Sequence, residues 1–145
     1  MARSRVSESL LLDTHVWYWL STEERKVSAA ALRAITSAAR RHAVAVSEVS
    51  FWELATKAAK GKLELRPDPA EWLRRASSKS GLGVIDLDRE ILVRSAQLDW
   101  EHRDPADRML VATAMFYDLR LATADPVILE HARTNRRLQV LNVMK

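Results

Sequence analysis

Cysteine is absent from this sequence, and glycine and proline are scarce. Without any cysteine among the 145 residues, disulfide bonds, zinc–thiolate sites and catalysis by a thiol are excluded. Three glycines and four prolines are too few for a disordered or fibrous chain. These absences indicate a globular protein held together by an apolar core, and the lack of cysteine suits a reducing cytosol.

Long apolar runs are absent as well. No segment approaches the roughly 18 consecutive apolar residues that a membrane span needs. Residues 1–5 resemble the charged start of a signal peptide, but Asp13 and His15 interrupt the apolar stretch that follows. That stretch is too short for the hydrophobic region of such a peptide. We therefore expect a cytoplasmic protein with no membrane attachment.

The overall composition is that of an ordinary soluble domain. Hydrophobic residues make up 48% and charged residues 29%, and a chain of this length can bury a sizeable core. We expect residues 1–145 to form a single domain. The 23 basic residues outnumber the 19 acidic ones, for a net charge of +4, which favours polyanionic partners only weakly.

Short apolar runs alternate with longer stretches of helical periodicity along the chain. The apolar runs predict strands at residues 9–13, 43–46, 84–87, 120–123 and 138–141. The stretches between them predict helices, several beginning at an Asp or Ser cap, at residues 15–20, 28–41, 47–61, 68–73, 88–98, 105–117 and 126–133. Strands separated by helices predict a parallel sheet covered on both faces, an α/β/α sandwich of about five strands.

Carboxylates occur where such sheets carry their functional groups. Asp13 ends the first predicted strand, and Asp125 lies two residues after the fourth. Asp107 lies near the start of the helix that leads into the fourth strand, and Glu53 lies in the helix after the second. Because the carboxyl ends of parallel strands meet at one edge, near the switch in strand order, we expect these four side chains to share a cleft.

Some of the acids also have a purely structural explanation. Asp104 before Pro105, and Asp125 before Pro126, have the form of a helix cap followed by the first helical residue. Asp13 is explained less well in this way, because it follows three leucines and is expected to be buried, where a carboxylate without a partner is costly. For Asp104 and Asp125 both explanations stay open at this point.

A shared acidic cleft has a chemical consequence. Several carboxylates in one place repel each other unless they share protons or a cation. Oxygen ligands, in a chain with no cysteine and four histidines, favour Mg²⁺ or Mn²⁺ over zinc. Such ions orient phosphates and activate water. An acidic metal site within a basic protein therefore predicts cleavage of phosphodiester bonds.

Four blocks of the sequence bring these residues together. They are residues 11–15 (LLDTH), 47–54 (SEVSFWEL), 102–110 (HRDPADRML) and 122–125 (ATAD). In content and order they resemble the blocks of PIN-domain proteins, most of all the VapC-type toxins of prokaryotic toxin–antitoxin pairs. The resemblance covers nearly the whole chain, and the four blocks together are far more specific than any one of them.

The resemblance implies a Mg²⁺-dependent endoribonuclease, with Mn²⁺ able to take the place of Mg²⁺, that acts as the toxin of a type II toxin–antitoxin system. It also implies an RNA substrate, a cognate antitoxin and a homodimer. By position, the catalytic and metal-holding residues are Asp13, Glu53, Asp107 and Asp125. Supporting positions fall to Asp104 as a helix cap or neighbour of the site, to Thr123 as a group that orients Asp125 or a metal-bound water, and to Thr14.

Three other functions are open to the same acidic pattern. One is a housekeeping PIN-type nuclease without an antitoxin, and another is a non-catalytic nucleic-acid-binding module whose acids merely cap helices. The third is a phospho-acceptor module of the response-regulator kind. That module needs a lysine after a late strand, where this chain has Thr123-Ala124-Asp125.

Aromatic and basic residues outside the blocks carry weaker signals. Core packing is the expectation for Trp17, Trp19, Trp52 and Trp72, which fall at helical positions among apolar neighbours. Those of Trp17, Trp19, Phe51 and Trp52 that are exposed could receive a helix or tail of a partner. Arginine pairs at 40–41, 74–75 and 136–137 are candidates for guiding RNA, although such pairs usually belong to a solvated surface. His15 and His102 lie near the proposed site, where either could support the metal ligands, although packing or surface hydrogen bonding is the first expectation for both.

Overall fold

The structure, a computed structural model, describes residues 7–145. The basic start of the chain, at which a signal peptide was considered, lies outside the described residues. Among the residues described, no helix is long and apolar enough to cross a membrane.

Five parallel strands form one central sheet, as the alternating pattern predicts. The strands are β1 (Leu10–Leu12), β2 (Val44–Ser47), β3 (Leu82–Ile85), β4 (Arg120–Thr123) and β5 (Gln139–Asn142). The helices are α1 (Thr14–Ser21), α2 (Ala29–Arg40), α3 (Glu48–Ala59), α4 (Pro69–Ser77), α5 (Arg89–Ala96), α6 (Pro105–Phe116) and α7 (Pro126–Thr134). The strand order is β3-β2-β1-β4-β5, and every pair is parallel.

The helix starts predicted from polar caps are confirmed. The Ser47 hydroxyl accepts a hydrogen bond from the Val49 N–H at the start of α3. Asp88 and Asp104 accept in the same way at the starts of α5 and α6, and each cap satisfies a backbone donor that the first helical turn leaves without a partner.

The predicted position of β3 is wrong by two residues. The strand begins at Leu82, and Gly83, interpreted as part of a turn, lies within it opposite Ala45. The reason is that β3 is an edge strand with half-exposed side chains, so it lacks the apolar run that marks the buried strands. Gly81 does form the preceding turn: its φ is +84°, and a Cβ there would lie 2.3 Å from the carbonyl oxygen of Ala39.

Apolar clusters cover both faces of the sheet. Leu10 and Leu12 point into a cluster with residues of α1, α2 and α4, whereas Leu11 points into a second cluster with residues of α6 and α7. Successive side chains of a strand alternate between faces, so a strand buried on both sides is apolar at every position. The predicted α/β/α architecture is therefore confirmed.

The switch in strand order lies between β1 and β4. The chain leaves β1 toward β2 on one side and reaches β4 on the other. Leu12 pairs with Ala122, and the Asp13 N–H donates to the Ala122 carbonyl at 2.9 Å. The residues that follow β1 and β4 therefore lie side by side at the carboxyl edge, where ligands bind in sheets of this kind.

Candidate active site

Asp13 lies at the bottom of this edge, with 4% of its surface exposed. Its Oδ1 accepts a hydrogen bond from the Thr14 N–H at 2.7 Å, and its Oδ2 accepts one from the Thr123 hydroxyl at 2.6 Å. Burial nevertheless raises the pKa of Asp13 above its ordinary value, and the negative charge of Glu53 raises it further. The fold thus holds a carboxylate where ionisation is costly.

Thr123 joins Asp13 to Asp125. Its hydroxyl donates to Asp13 and accepts from the Asp125 N–H at 3.0 Å. Asp125 in turn caps α7, because its Oδ1 accepts from the Val127 N–H at 2.9 Å. Within residues 7–145 the Oδ2 of Asp125 has no hydrogen-bond donor, so capping leaves one of its oxygens free for another ligand.

Glu53 reaches the same edge from the second turn of α3. Its Oε1 accepts from the Thr14 hydroxyl at 2.5 Å. Thr14 also contacts the hydroxyl of Ser50 at 2.7 Å. Since Thr14 has one hydroxyl proton and directs it to Glu53, Ser50 is the donor in the second bond. Sequence reasoning missed Ser50, which lies three residues before Glu53 on the same face of α3.

Asp107 lies in the first turn of α6, on the other side of the cleft. Its Oδ2 is 2.7 Å from Nε2 of His102, and its backbone N–H donates to Oδ1 of Asp104 at 3.1 Å. Burial raises the pKa of Asp107 to about 6 against the opposing effect of His102, and the charges of Asp104, Asp13 and Asp125 add to the rise. The pKa of Asp107 thus responds to the carboxylates that follow β1 and β4, which lie at the same edge of the sheet.

The tightest group of candidate metal ligands in the described part of the chain is His102, Asp104 and Asp107, with ligand atoms within 4.8 Å of one another. It includes His102, for which the sequence favoured packing or a surface hydrogen bond over the supporting position next to the site that the structure shows. Asp104 fits both explanations left open by the sequence. Its Oδ1 caps α6, and the residue also belongs to this group of candidate ligands. Asp13, Glu53 and Asp125 are not in this tight group, and hydroxyl groups rather than direct contacts link them.

The donor set fits a hard divalent cation. Carboxylate oxygens predominate, and a single imidazole adjoins them. Oxygen ligands suit Mg²⁺ and Mn²⁺, and an imidazole suits the transition metal more than Mg²⁺. Burial is the main cause of the raised pKa values of Asp13 and Asp107, and nearby carboxylates add to it, so a bound cation would favour the charged form of both groups.

Comparison with known families agrees with this architecture. The model of the PIN domain matches residues 10–134. The chain belongs to the PIN-domain family.

Similar PIN-domain proteins include one curated relative and several solved structures. Ribonuclease VapC22 of Mycobacterium tuberculosis is 32% identical over 124 residues, which span 85% of this chain and 92% of the relative. A chain in the crystal structure of VapBC2 from Rickettsia felis, bound to a promoter DNA fragment, superposes with a TM-score of 0.67 at 14% identity and covers 91% of this chain and 96% of that one. A toxin–antitoxin complex from Klebsiella pneumoniae gives a TM-score of 0.60 at 20% identity, covering 92% and 96%.

In this PIN domain, Arg108 determines the shape of one side of the cleft. Its guanidinium donates to the carbonyl oxygens of four residues in the segment before α6, at 2.6 to 3.0 Å: Ser95, Leu98, Trp100 and His102. This fastens the segment that carries His102 next to Asp107. Sequence reasoning missed Arg108, because a single arginine in an amphipathic helix resembles a surface charge.

The tryptophans of the PIN domain divide between core and surface. Trp17 is 2% exposed and packs against Phe51 and Trp72, with ring centroids 5.2 and 6.1 Å apart. Trp52, in contrast, is 60% exposed, so the expectation of core packing is wrong for this residue. Its neighbours in sequence, Phe51 and Glu53, point toward the domain, which leaves the Trp52 ring on the outer face of α3.

Proposed function

We propose that this PIN-domain protein is a Mg²⁺-dependent endoribonuclease and the toxin of a type II toxin–antitoxin system. The observation that carries the proposal is the group of carboxylates at the switch between β1 and β4, where Thr123 joins Asp13 to Asp125 and where burial, with a smaller contribution from neighbouring carboxylates, raises the pKa values of Asp13 and Asp107. A divalent cation removes that penalty. The name of the relative, a ribonuclease, supports RNA as the substrate.

The residues proposed to hold the ion are Asp13, Glu53, Asp107 and Asp125, and Mn²⁺ could replace Mg²⁺. The ion, when bound, supplies positive charge for the scissile phosphate and for an attacking water. Thr123 and Thr14 fix the carboxylates of Asp13 and Glu53 through their hydroxyl protons, which lowers the cost of ordering them. Asp104 shapes the site by capping α6, and His102 holds Asp107.

The test is cleavage of RNA by the purified chain. We expect cleavage of a mixed-sequence RNA in millimolar Mg²⁺ or Mn²⁺, none in excess chelator, and no cleavage of DNA of the same sequence. An Asp13→Asn variant purified in parallel controls for contaminating nuclease, because the change removes one ligand charge and keeps the shape. If RNA binds equally well with and without the metal and stays whole, the non-catalytic binding module is the better account.

An antitoxin is the proposed protein partner, and Trp52 is its proposed anchor. The ring is exposed on the outer face of α3, the helix that also carries Glu53, so a helix or tail packed on it would be held next to the acidic site. An arginine of that tail could pair with the carboxylates, since its planar fork matches their geometry. Trp17 is excluded from this surface because it is buried. The solved complexes of VapBC and of a toxin with its antitoxin support a partner of this kind.

Co-expression with the product of the adjacent small gene tests the partner. We expect the two proteins to co-purify, the partner to relieve growth arrest, and Trp52→Ala to weaken co-purification without affecting cleavage of RNA. Failure of both rescue and co-purification would leave a housekeeping PIN nuclease as the better account. The homodimer, which rests on the resemblance, is checked by light scattering of the purified chain. The cytoplasmic location, expected from the lack of long apolar runs, is checked by cell fractionation.

A further inference from the structure

A basic cleft of about 820 Å³ lies between the C-terminal ends of α5, α6 and α7. This volume falls within the roughly 300–1,000 Å³ typical of ligand sites. Three arginines line it, Arg94, Arg136 and Arg137, against a single carboxylate, that of Asp99. Since α6 and α7 begin beside the acidic site and run away from it, the cleft lies at the far ends of both helices.

The positive charge of this cleft is only partly neutralised by the protein. Arg94 pairs with Glu90 at 2.8 Å and lies over the Phe116 ring. In the described residues 7–145, by contrast, the guanidinium groups of Arg136 and Arg137 have no acidic partner. Helix C-termini attract cations, which explains Arg94 in the last turn of α5. Arg136 and Arg137 lie beyond the end of α7, so this attraction does not account for them.

A continuous path connects the cleft with the acidic site. His102, which holds Asp107, packs against Trp100 with ring centroids 4.8 Å apart. Trp100 stacks on His131 at 4.4 Å with an interplanar angle of 9°, and His131 lines the basic cleft. A shallow groove along α7 is lined by Trp100, Val127 and His131 among others, and it shares His131 and Thr134 with the cleft.

The length of the path suits a polymer rather than a small molecule. The groove starts beside Asp125, the cap of α7, and the helix spans nine residues. At 1.5 Å per residue, this separates the two ends by roughly 14 Å. A ligand that occupies both the acidic site and the basic cleft must therefore be extended and must carry negative charge at its far end.

We propose that the groove along α7 carries the RNA strand and that Arg136 and Arg137 bind phosphates a few nucleotides from the scissile bond. This inference rests on the proposed ribonuclease function and adds a second substrate contact to it. Arginine suits the role because its guanidinium can donate two parallel hydrogen bonds to one phosphate. The basic cleft then favours longer RNA substrates, because only a strand that extends along the groove reaches it.

Binding of RNA without cleavage tests the cleft directly. In an Asp13→Asn background, the affinity for a labelled single-stranded RNA is measured by fluorescence anisotropy as a function of salt. Arg136→Gln with Arg137→Gln should weaken binding by about tenfold and reduce the salt slope by roughly 1.4, the value for two lost phosphate contacts. The matched control is Arg74→Gln with Arg75→Gln on α4, which removes the same charge from the other face of the sheet. Both of these arginines already pair with Glu71, unlike Arg136 and Arg137, so the control should change neither quantity appreciably.

Cleavage by the otherwise unchanged chain supplies the second measurement. The Arg136/Arg137 double variant should raise KM for a long RNA about tenfold while kcat stays the same, and a dinucleotide, too short to reach the cleft, should be cut as by the wild type. Equal weakening by the two double variants would show an effect of net charge alone and overturn the proposal. The proposal would also be overturned if the Arg136/Arg137 double variant lost its binding to a polyglutamate peptide but kept its binding to RNA. If RNA binding depends on Arg136 and Arg137 but the chain cleaves no RNA, the proposed phosphate contacts stand and the proposed ribonuclease function fails.

Discussion

The two walls of the acidic cleft are built differently. On one wall, Asp13 follows a buried strand, and hydroxyl groups of neighbouring elements hold it and Glu53. On the other wall, Asp107 opens a helix, a histidine holds it, and Arg108 fastens the preceding segment. Strand pairing places the first wall, whereas the second wall depends on the Arg108 guanidinium, which donates to carbonyl oxygens. The first should therefore survive most substitutions around it, and the second should be open to disruption at a single residue.

Removing one carboxylate from each wall should give the largest effect. Asp13→Asn and Asp107→Asn should each lower kcat for RNA at least ~10²-fold, in line with the loss of a preorganised electrostatic group. The measurement is single-turnover cleavage at saturating Mg²⁺ with circular dichroism as a check of folding. If Asp107→Asn cuts RNA at the wild-type rate, the second wall does not belong to the active site.

Arg108→Met should destabilise the segment that carries His102, on the second wall, and leave the first wall unchanged. Four carbonyl oxygens lose their donor, and hydrogen bonds to a charged group are strong enough that we expect a loss of about 3 kcal/mol in the free energy of unfolding. Urea denaturation measures it, and cleavage should fall as His102 loses its position. Arg133→Met on α7 is the control, because its ion pair with Glu130 is long and exposed and contributes little. Equal stability of the two variants would contradict the proposed fastening.

The pH dependence of stability should show the cost of ionising the buried carboxylates, of which Asp107 is the example on the second wall. Without metal, the folded protein keeps a proton on Asp107 up to about pH 6, whereas the unfolded chain loses it near the ordinary pKa. The folded state therefore binds more protons in that window, so the free energy of unfolding falls as pH rises from about 4 through 6. The full penalty, about 3 kcal/mol before any reduction by solvent screening, remains above that range.

Thermal melts from pH 4 to 8, with and without Mg²⁺, check this sign. Millimolar Mg²⁺ should raise the melting temperature above pH 6 by binding the folded state, and Asp107→Asn should reduce the dependence on both pH and metal. A wild-type melting temperature at pH 7.5 that does not respond to Mg²⁺ would argue against the proposed metal site.

Asp104→Asn should give the smallest effect. Asparagine caps helices as well as aspartate does, so the bond to the Asp107 N–H is kept and only one negative charge is lost. We expect cleavage to fall by less than about threefold, far below the effect of Asp107→Asn. Asp104→Ala, which also removes the cap, should cost about 1 kcal/mol of stability, as measured by urea denaturation. If Asp104→Asn is as inactive as Asp107→Asn, Asp104 is a ligand rather than a cap.

The first wall could be predicted from the sequence, and the second only in part. An aspartate directly after three leucines indicates a buried strand end, and parallel strands bring such ends together. The roles of His102 and Arg108 depend on how residues 97–104 fold back onto α6, and no periodicity encodes that path. A different limit applies to β3, a partly exposed strand in which Gly83 resembles a turn residue.

Arg108 donates to main-chain oxygens of the segment before α6, so substitutions of that segment's side chains leave these hydrogen bonds in place. Asp99, Glu101 and Arg103 are exposed and alternate with the residues whose carbonyls are bound. Substitutions at these three positions would alter the surface beside the acidic site, while the backbone of the segment keeps its path. Related PIN domains could thus differ at these positions while keeping the same fold, and a library confined to them would measure how far this part of the surface can vary.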